Sequence, residues 1–128
     1  MVSEARKVLL VEDEQELRLR YTRYLTDNGY AVSCAETGAI ALQKVFAEDW
    51  DVMLLDTMLA GQDGVQVLKM VKANDRLKDK PVIALTGLAG DLDVDQIFDL
   101  GADGLLAKSE LTSERLVTEI ETVLQKYS

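Results

Sequence analysis

The chain has 128 residues, enough for one domain with a real core, and no apolar run approaches the roughly 18 residues a membrane span needs. Its 23 acids against 14 bases leave a net charge of -9, which disfavours direct contact with nucleic acid because phosphate contacts need clustered lysine and arginine. There is no histidine, which excludes His-based triads, His-ligated zinc and a histidine phosphocarrier, and the single cysteine, Cys34, excludes an internal disulfide and reads as a small core residue.

The N-terminal "MVSEARK" leads into a strand rather than a signal-peptide core, so a cytoplasmic protein without membrane contact is expected. "KVLLV" (7–11) predicts that first strand, and Glu12 and Asp13 follow it. Leu17, Tyr21, Tyr24 and Leu25 recur at helical spacing in a first helix that stops at Asn28-Gly29. "YAVSCA" (30–35) predicts the second strand, and Leu42, Val45 and Phe46 mark the second helix. "VMLL" (52–55) predicts a third strand that runs straight into Asp56, followed by a loop with Gly61 and Gly64 and a third helix marked by Val67, Leu68 and Val71. The only proline, Pro81, opens the fourth strand, "PVIAL" (81–85), where its missing N–H is tolerated, and Thr86-Gly87 follow. Val94, Ile97 and Phe98 mark a fourth helix that also carries Asp91, Asp93, Asp95 and Asp99, read as a solvated face or as a docking patch for a basic partner. "GLLA" (104–107) predicts the fifth strand, ending at Lys108, and Leu116, Val117, Ile120, Val123 and Leu124 make the clearest stripe of all in the fifth helix. The strands are short and for the most part apolar on both sides, as buried parallel strands are.

A βα unit repeated five times implies an α/β fold with a parallel sheet, right-handed crossovers and helices on both faces. In such a sheet ligands sit beyond the carboxyl ends of the strands, where this chain places Glu12, Asp13, Asp56, Thr86 and Lys108. Each has an ordinary explanation. Asp13 with Glu16 makes a capping box, Glu12 a solvated acid in the first helical turn, Asp56 and Thr86-Gly87 turns, and Lys108 a side chain that snorkels from a strand end. Those explanations leave the convergence of three carboxylates, a hydroxyl and an ammonium on one rim unaccounted for. A pair of like charges at 4 Å costs roughly 4 kcal/mol at an effective dielectric of 20. A divalent cation with oxygen preference removes that cost, and Mg²⁺ is the natural candidate. Asp56 is then a carboxylate nucleophile toward phosphorus, forming an aspartyl-phosphate, with Lys108 and the Thr86 hydroxyl on the phosphoryl oxygens.

"VLLVEDE", "VMLLDTMLAGQDG", "PVIALTG" and "GADGLLAKS", in this order and at these distances, resemble the receiver domain of two-component response regulators over nearly the whole chain, about Arg6 to Gln125, so that 1–128 reads as a single receiver. The resemblance implies a doubly wound, flavodoxin-like (βα)5 sheet of order 2-1-3-4-5. It also implies a phosphoryl group passed from a histidine kinase or histidine phosphotransfer protein to Asp56, with Mg²⁺ held by Glu12, Asp13, Asp56 and the backbone carbonyl of Met58, and Thr86 and Lys108 as switch hydroxyl and phosphate-binding lysine. The output would be changed contacts with a downstream protein or effector domain. No effector domain is legible, so the chain reads as a stand-alone receiver or as one excised from a longer regulator.

Several positions depart from the family pattern or bear on its kinetics. Ala60 replaces a usual proline, which loosens its loop. Ser109 replaces a proline with a cis bond, and a cis Lys-Ser bond would cost roughly 2.5–4 kcal/mol. Leu105 replaces the usual Tyr or Phe, so phosphorylation is expected to draw Thr86 inward while the readout on the fourth helix and fifth strand is altered or weak. Met58 and Leu88 flank the family's path for the hydrolytic water and, being apolar, are expected to slow dephosphorylation. Rival readings are a degenerate receiver acting as a scaffold and an aspartate-nucleophile phosphatase. The phosphatase wants a second acid two residues beyond its nucleophile, where this chain has Met58. A P-loop NTPase fails for want of Gly-Lys-Ser/Thr after a glycine-rich turn.

Overall fold

Alternation of strand and helix signals along the chain is realised as β1 (Lys7–Val11), α1 (Gln15–Asp27), β2 (Ala31–Ala35), α2 (Gly38–Ala47), β3 (Val52–Asp56), α3 (Asp63–Ala73), β4 (Val82–Thr86), α4 (Val94–Asp99), β5 (Gly104–Ala107) and α5 (Ser113–Gln125). The computed structural model describes residues 5–59, 63–87 and 94–126. Ala60, Gly61, Leu88, Asp91 and Asp93 lie outside the described residues. All strand pairs are parallel, in the order β2-β1-β3-β4-β5.

Because successive side chains on a strand point to opposite faces, the sheet builds two cores. Leu9, Val11, Met53, Leu55, Val82 and Ala84 pack on one face under Val45 of α2, Val67, Leu68 and Val71 of α3 and Ile97 of α4. Val8, Leu10, Val52, Leu54, Ile83, Leu85 and Leu106 pack on the other under Tyr21 and Leu25 of α1 and Leu116, Ile120 and Val123 of α5. The central strands β1, β3 and β4 are therefore apolar at nearly every position. β2 departs from that expectation: as an edge strand it is exposed at Ala31 and only half-buried from Val32 to Cys34. Cys34 correspondingly sits in a half-buried position, its Sγ 3.4 Å from Thr22 Oγ1, rather than inside the core.

Two of the expected helix stripes face water in part. Phe46 on α2 and Val94 and Phe98 on α4 are exposed, and among the described residues of α4 Ile97 alone is buried. Asp95 and Asp99 of that helix are solvated. Thr37 and Thr112, not singled out from the sequence, cap α2 and α5 by accepting the N–H groups of Ile40 and Arg115, each at 3.1 Å. Gly29, at φ +88°, ends α1 and lets the Tyr30 N–H turn back to the Leu25 carbonyl at 3.0 Å. After β5 a single 3-10 turn, Lys108–Glu110, follows, and the Lys108–Ser109 bond is trans.

The end of the sheet away from the strand C-termini is fastened by a half-buried ion pair. Lys72 Nζ, at the end of α3, reaches Asp103 Oδ2 at 2.9 Å and the carbonyls of Lys78 and Lys80 at 3.1 and 2.9 Å, while Asp103 Oδ2 also accepts the Val82 N–H at 2.9 Å.

Gly64 belongs to the first turn of α3 rather than to the preceding loop. A Cβ there would overlap the carbonyl oxygen of Asp56 and lie 2.9 Å from Thr57 Cα, so only glycine lets α3 start this close to the end of β3. Gly64→Ala is expected to cost about 1–3 kcal/mol, read as a lower urea midpoint at unchanged slope.

Candidate functional site

The parity of the strands decides which side chains meet. Leu10 and Leu54 are register partners in the α1/α5 core, so Glu12 and Asp56, each two residues further on, arrive side by side on that face. Leu106 lies on the same face, and Lys108, two residues beyond it, joins them. Asp56 is the last residue of β3 and Thr86 the last of β4, one position earlier than "just past the strand".

Glu12 is fully buried and Asp56 is 1% exposed, which overturns the solvated reading of Glu12. Lys108 Nζ lies between them, donating to Asp56 Oδ2 at 2.8 Å and standing 2.7 Å from Glu12 Oε1. The Lys108 ammonium is thus shared between the two carboxylates, so that one cation faces two buried acids. Asp56 Oδ1 accepts the Met58 N–H at 2.8 Å, which fixes the carboxylate through both oxygens.

Asp13 is exposed at the mouth of the site and does not cap α1: the N-cap is Glu14, with no side-chain cap, and Glu12 Oε2 accepts the Glu14 N–H at 3.2 Å. Glu12, Asp13 and Asp56 nevertheless each bring a carboxylate oxygen within 4.8 Å of the others. Three hard oxygen donors this close, with only the Lys108 ammonium to offset their charge within the buried pair, suit a small divalent cation such as Mg²⁺. Thr86 is half-buried beside Ala107, and no hydrogen bond joins it to Glu12, Asp56 or Lys108.

Sequence reasoning missed two neighbours. Thr57 is buried and its hydroxyl donates to the Leu85 carbonyl at 3.3 Å, beside its own N–H at 3.1 Å, tying the ends of β3 and β4 together. Arg18, on α1, reaches back to the carbonyl of Glu12 at 2.9 Å. Neither has a sequence signal beyond residue type, since both act through backbone groups of another segment.

Burial pushes the Glu12 carboxyl up to about 7 from an ordinary 4.5, with the Lys108 ammonium pulling it back and the Asp56 carboxylate adding to the rise. For Lys108 burial works to lower the pKa, but the Asp56 and Glu12 carboxylates outweigh it and hold the ammonium above its ordinary range. Lys108 is therefore charged at neutral pH, and it is the counter-ion of a pair of acids.

The whole arrangement has known counterparts. The model of the response regulator receiver domain matches residues 8–121. The chain belongs to that family. It is 31% identical over 126 residues to the transcriptional regulatory protein GltR of Pseudomonas aeruginosa, covering 98% of this chain and 52% of that protein, so it spans about half the length of this curated relative. Among solved structures, it superimposes on the receiver domain of the Francisella response regulator 1452 with a TM-score of 0.82 at 24% identity, covering 96% of this chain and 99% of that one. A CheY-like receiver domain protein of Methanospirillum hungatei gives a TM-score of 0.83 at 24% identity, covering 96% of each chain, and at such identities the likeness speaks for the fold. The sheet order expected from the resemblance is thus the observed one, and the chain is a signalling module of two-component systems, whose receivers work with histidine kinases and effector domains. Among the described residues no helix is long and apolar enough to cross a membrane.

Between pH 4.5 and 7 the folded receiver holds a proton on Glu12 that the unfolded chain has released, so this residue's contribution to stability falls as pH rises through that window. In urea denaturation without Mg²⁺, Glu12→Gln is expected to match wild type near pH 5 and to exceed it above pH 7, by on the order of 2 kcal/mol.

Proposed function

We propose that Asp56 is the phosphoacceptor of this receiver. One observation carries the reading: a buried strand-end carboxylate gripped by the Met58 N–H and Lys108, with Glu12 and Asp13 carboxylate oxygens within 4.8 Å. An oxygen of Asp56 attacks the phosphorus of a phosphohistidine on a histidine kinase or histidine phosphotransfer protein. The P–O bond forms as the P–N bond breaks, and the departing imidazole keeps the electron pair and takes up a proton. Lys108, already charged and hydrogen-bonded to Asp56, moves its charge onto a phosphoryl oxygen as the carboxylate becomes an acyl phosphate.

Glu12 and Asp13, with Asp56 and the Met58 carbonyl, are the residues that would hold Mg²⁺. Bound there, the cation offsets the charge of the acids and of the incoming phosphoryl oxygens. Thr86, at the end of β4, supplies a hydroxyl to another phosphoryl oxygen by moving inward. Leu105, half-buried on β5 and packed against the α2/α3/α4 core, has no ring to follow that movement. The readout then falls on α4 and β5 in altered form, as a change of contacts with an effector domain or separate protein.

The receiver catalyses only its own phosphorylation and dephosphorylation. A phosphatase acting on small esters needs a general acid where Met58 stands, and the intact acidic set speaks against a phosphate-free scaffold. The net charge of -9 favours protein partners over nucleic acid, in the cytoplasm.

Intact mass after exposure to a small-molecule phosphodonor with Mg²⁺ tests the assignment: wild type gains one phosphoryl group and Asp56→Ala gains none. A gain that persists in Asp56→Ala would move the acceptor elsewhere, and no gain in either would favour the scaffold. Met58 is 38% exposed beside Asp56 and offers water no hydrogen-bonding side chain. Met58→Asn is expected to speed decay of the aspartyl-phosphate by roughly tenfold, the scale of one positioned polar group, followed by loss of the phosphorylated mass over time.

A further inference from the structure

Arg18 is a basic residue built into an acidic site. Its side chain is 13% exposed, and its Nη2 stands 3.6 Å from Glu36 Oε1, the first side chain beyond β2. Its Nη1 donates to the Glu12 carbonyl at 2.9 Å and reaches the Asp13 carbonyl at 3.4 Å. One guanidinium thus joins two strand-end turns on the same rim.

The two carbonyls belong to consecutive peptides, and the α-carbon of Asp13 lies between them. Gripping both peptide planes sets the backbone angles of Asp13 and so the direction of its side chain. Glu12 has other fastenings, since its N–H donates to the Ala35 carbonyl at 3.1 Å and its Oε2 accepts the Glu14 N–H at 3.2 Å. Asp13 is exposed, and its aim depends on the backbone of the turn.

Charge alone argues the other way. A guanidinium near a cation site repels the cation, so on electrostatic grounds its removal should tighten metal binding. A mostly buried arginine whose charge is paired with Glu36 and whose Nη1 is directed at carbonyls rather than at the Glu12, Asp13 and Asp56 carboxylates contributes through geometry. Resting on the metal assignment above, we propose that Arg18 is a positioning residue that grips the carbonyls of Glu12 and Asp13 and thereby aims the Asp13 carboxylate into the Mg²⁺ site.

The test is the Mg²⁺ dissociation constant by isothermal titration calorimetry for wild type, Arg18→Gln, Arg18→Lys and Asp13→Asn, with urea denaturation in EDTA in parallel. Arg18→Gln is expected to weaken Mg²⁺ binding about tenfold, as loss of a group that orients a ligand does. Arg18→Lys keeps the charge but not the fork that spans two carbonyls, and should also bind several times more weakly than wild type. It carries the comparison should Arg18→Gln fail to fold. An unchanged or tighter constant in the Arg18 variants, including one accompanied by lower stability in EDTA, would overturn the proposal. Wild type that takes up no Mg²⁺, or Asp13→Asn that binds as wild type does, would remove the metal assignment itself and the proposal with it.

Discussion

Two carboxylates, Glu12 and Asp56, lie buried at adjacent strand ends with a single ammonium, Lys108, between them. Removing ions from water costs several kcal/mol each, and one cation does not fully repay two acids. The imbalance is visible in the Glu12 carboxyl, held up to about 7 chiefly by burial. A site of this kind suits added positive charge, as the proposed phosphoacceptor role requires, and the rest of the fold maintains it at that cost.

The sheet carries the burden by rigid support on both faces. Alternating residues of β1, β3 and β4 feed two separate cores, so neither Glu12 nor Asp56 can retreat to solvent without unpacking a strand. Close contact of α3 with the end of β3, made possible by Gly64, holds the Asp56 backbone from below, and Thr57 ties it to β4 through the Leu85 carbonyl. At the opposite end of the strands the half-buried Lys72–Asp103 pair anchors α3, the turn after it and the starts of β4 and β5. One end of the sheet is locked by satisfied polar contacts. The other holds charge in excess.

That asymmetry suits a switch. Thr86 stands at the unlocked end, half-buried, without a hydrogen bond to the acidic set and paired with Ala107, while Leu105, two residues earlier on β5, is an aliphatic packing residue. The movement proposed for Thr86 would therefore meet aliphatic packing rather than the swing of a ring. α4, anchored by Ile97 alone among its described residues and showing Val94 and Phe98 to water, is lightly held.

Strand and helix periodicity made the βα alternation legible, and the residue types at five strand ends made the acidic rim legible, because both depend on local pattern. The apolar run "YAVSCA" reads as buried on both faces, and its position at the edge of the sheet leaves it exposed at Ala31 and half-buried from Val32 to Cys34. Phe46, Val94 and Phe98 have helical spacing but face water, since spacing marks a stripe and not which way the helix is turned. Asp13 with Glu16 spells a capping box, yet the helix begins one residue later because the turn is held by Glu12, Ala35 and Arg18 instead. By itself the sequence determined the order of elements, the acids and the lysine available at their ends, and the absence of histidine chemistry. Register and parity across the sheet decided that Glu12, Asp56 and Lys108 share a face, that Glu12 is buried, and that Arg18 reaches the turn beneath them. Those are relations between residues far apart in the chain, which hydrogen-bond ladders create and no local pattern encodes.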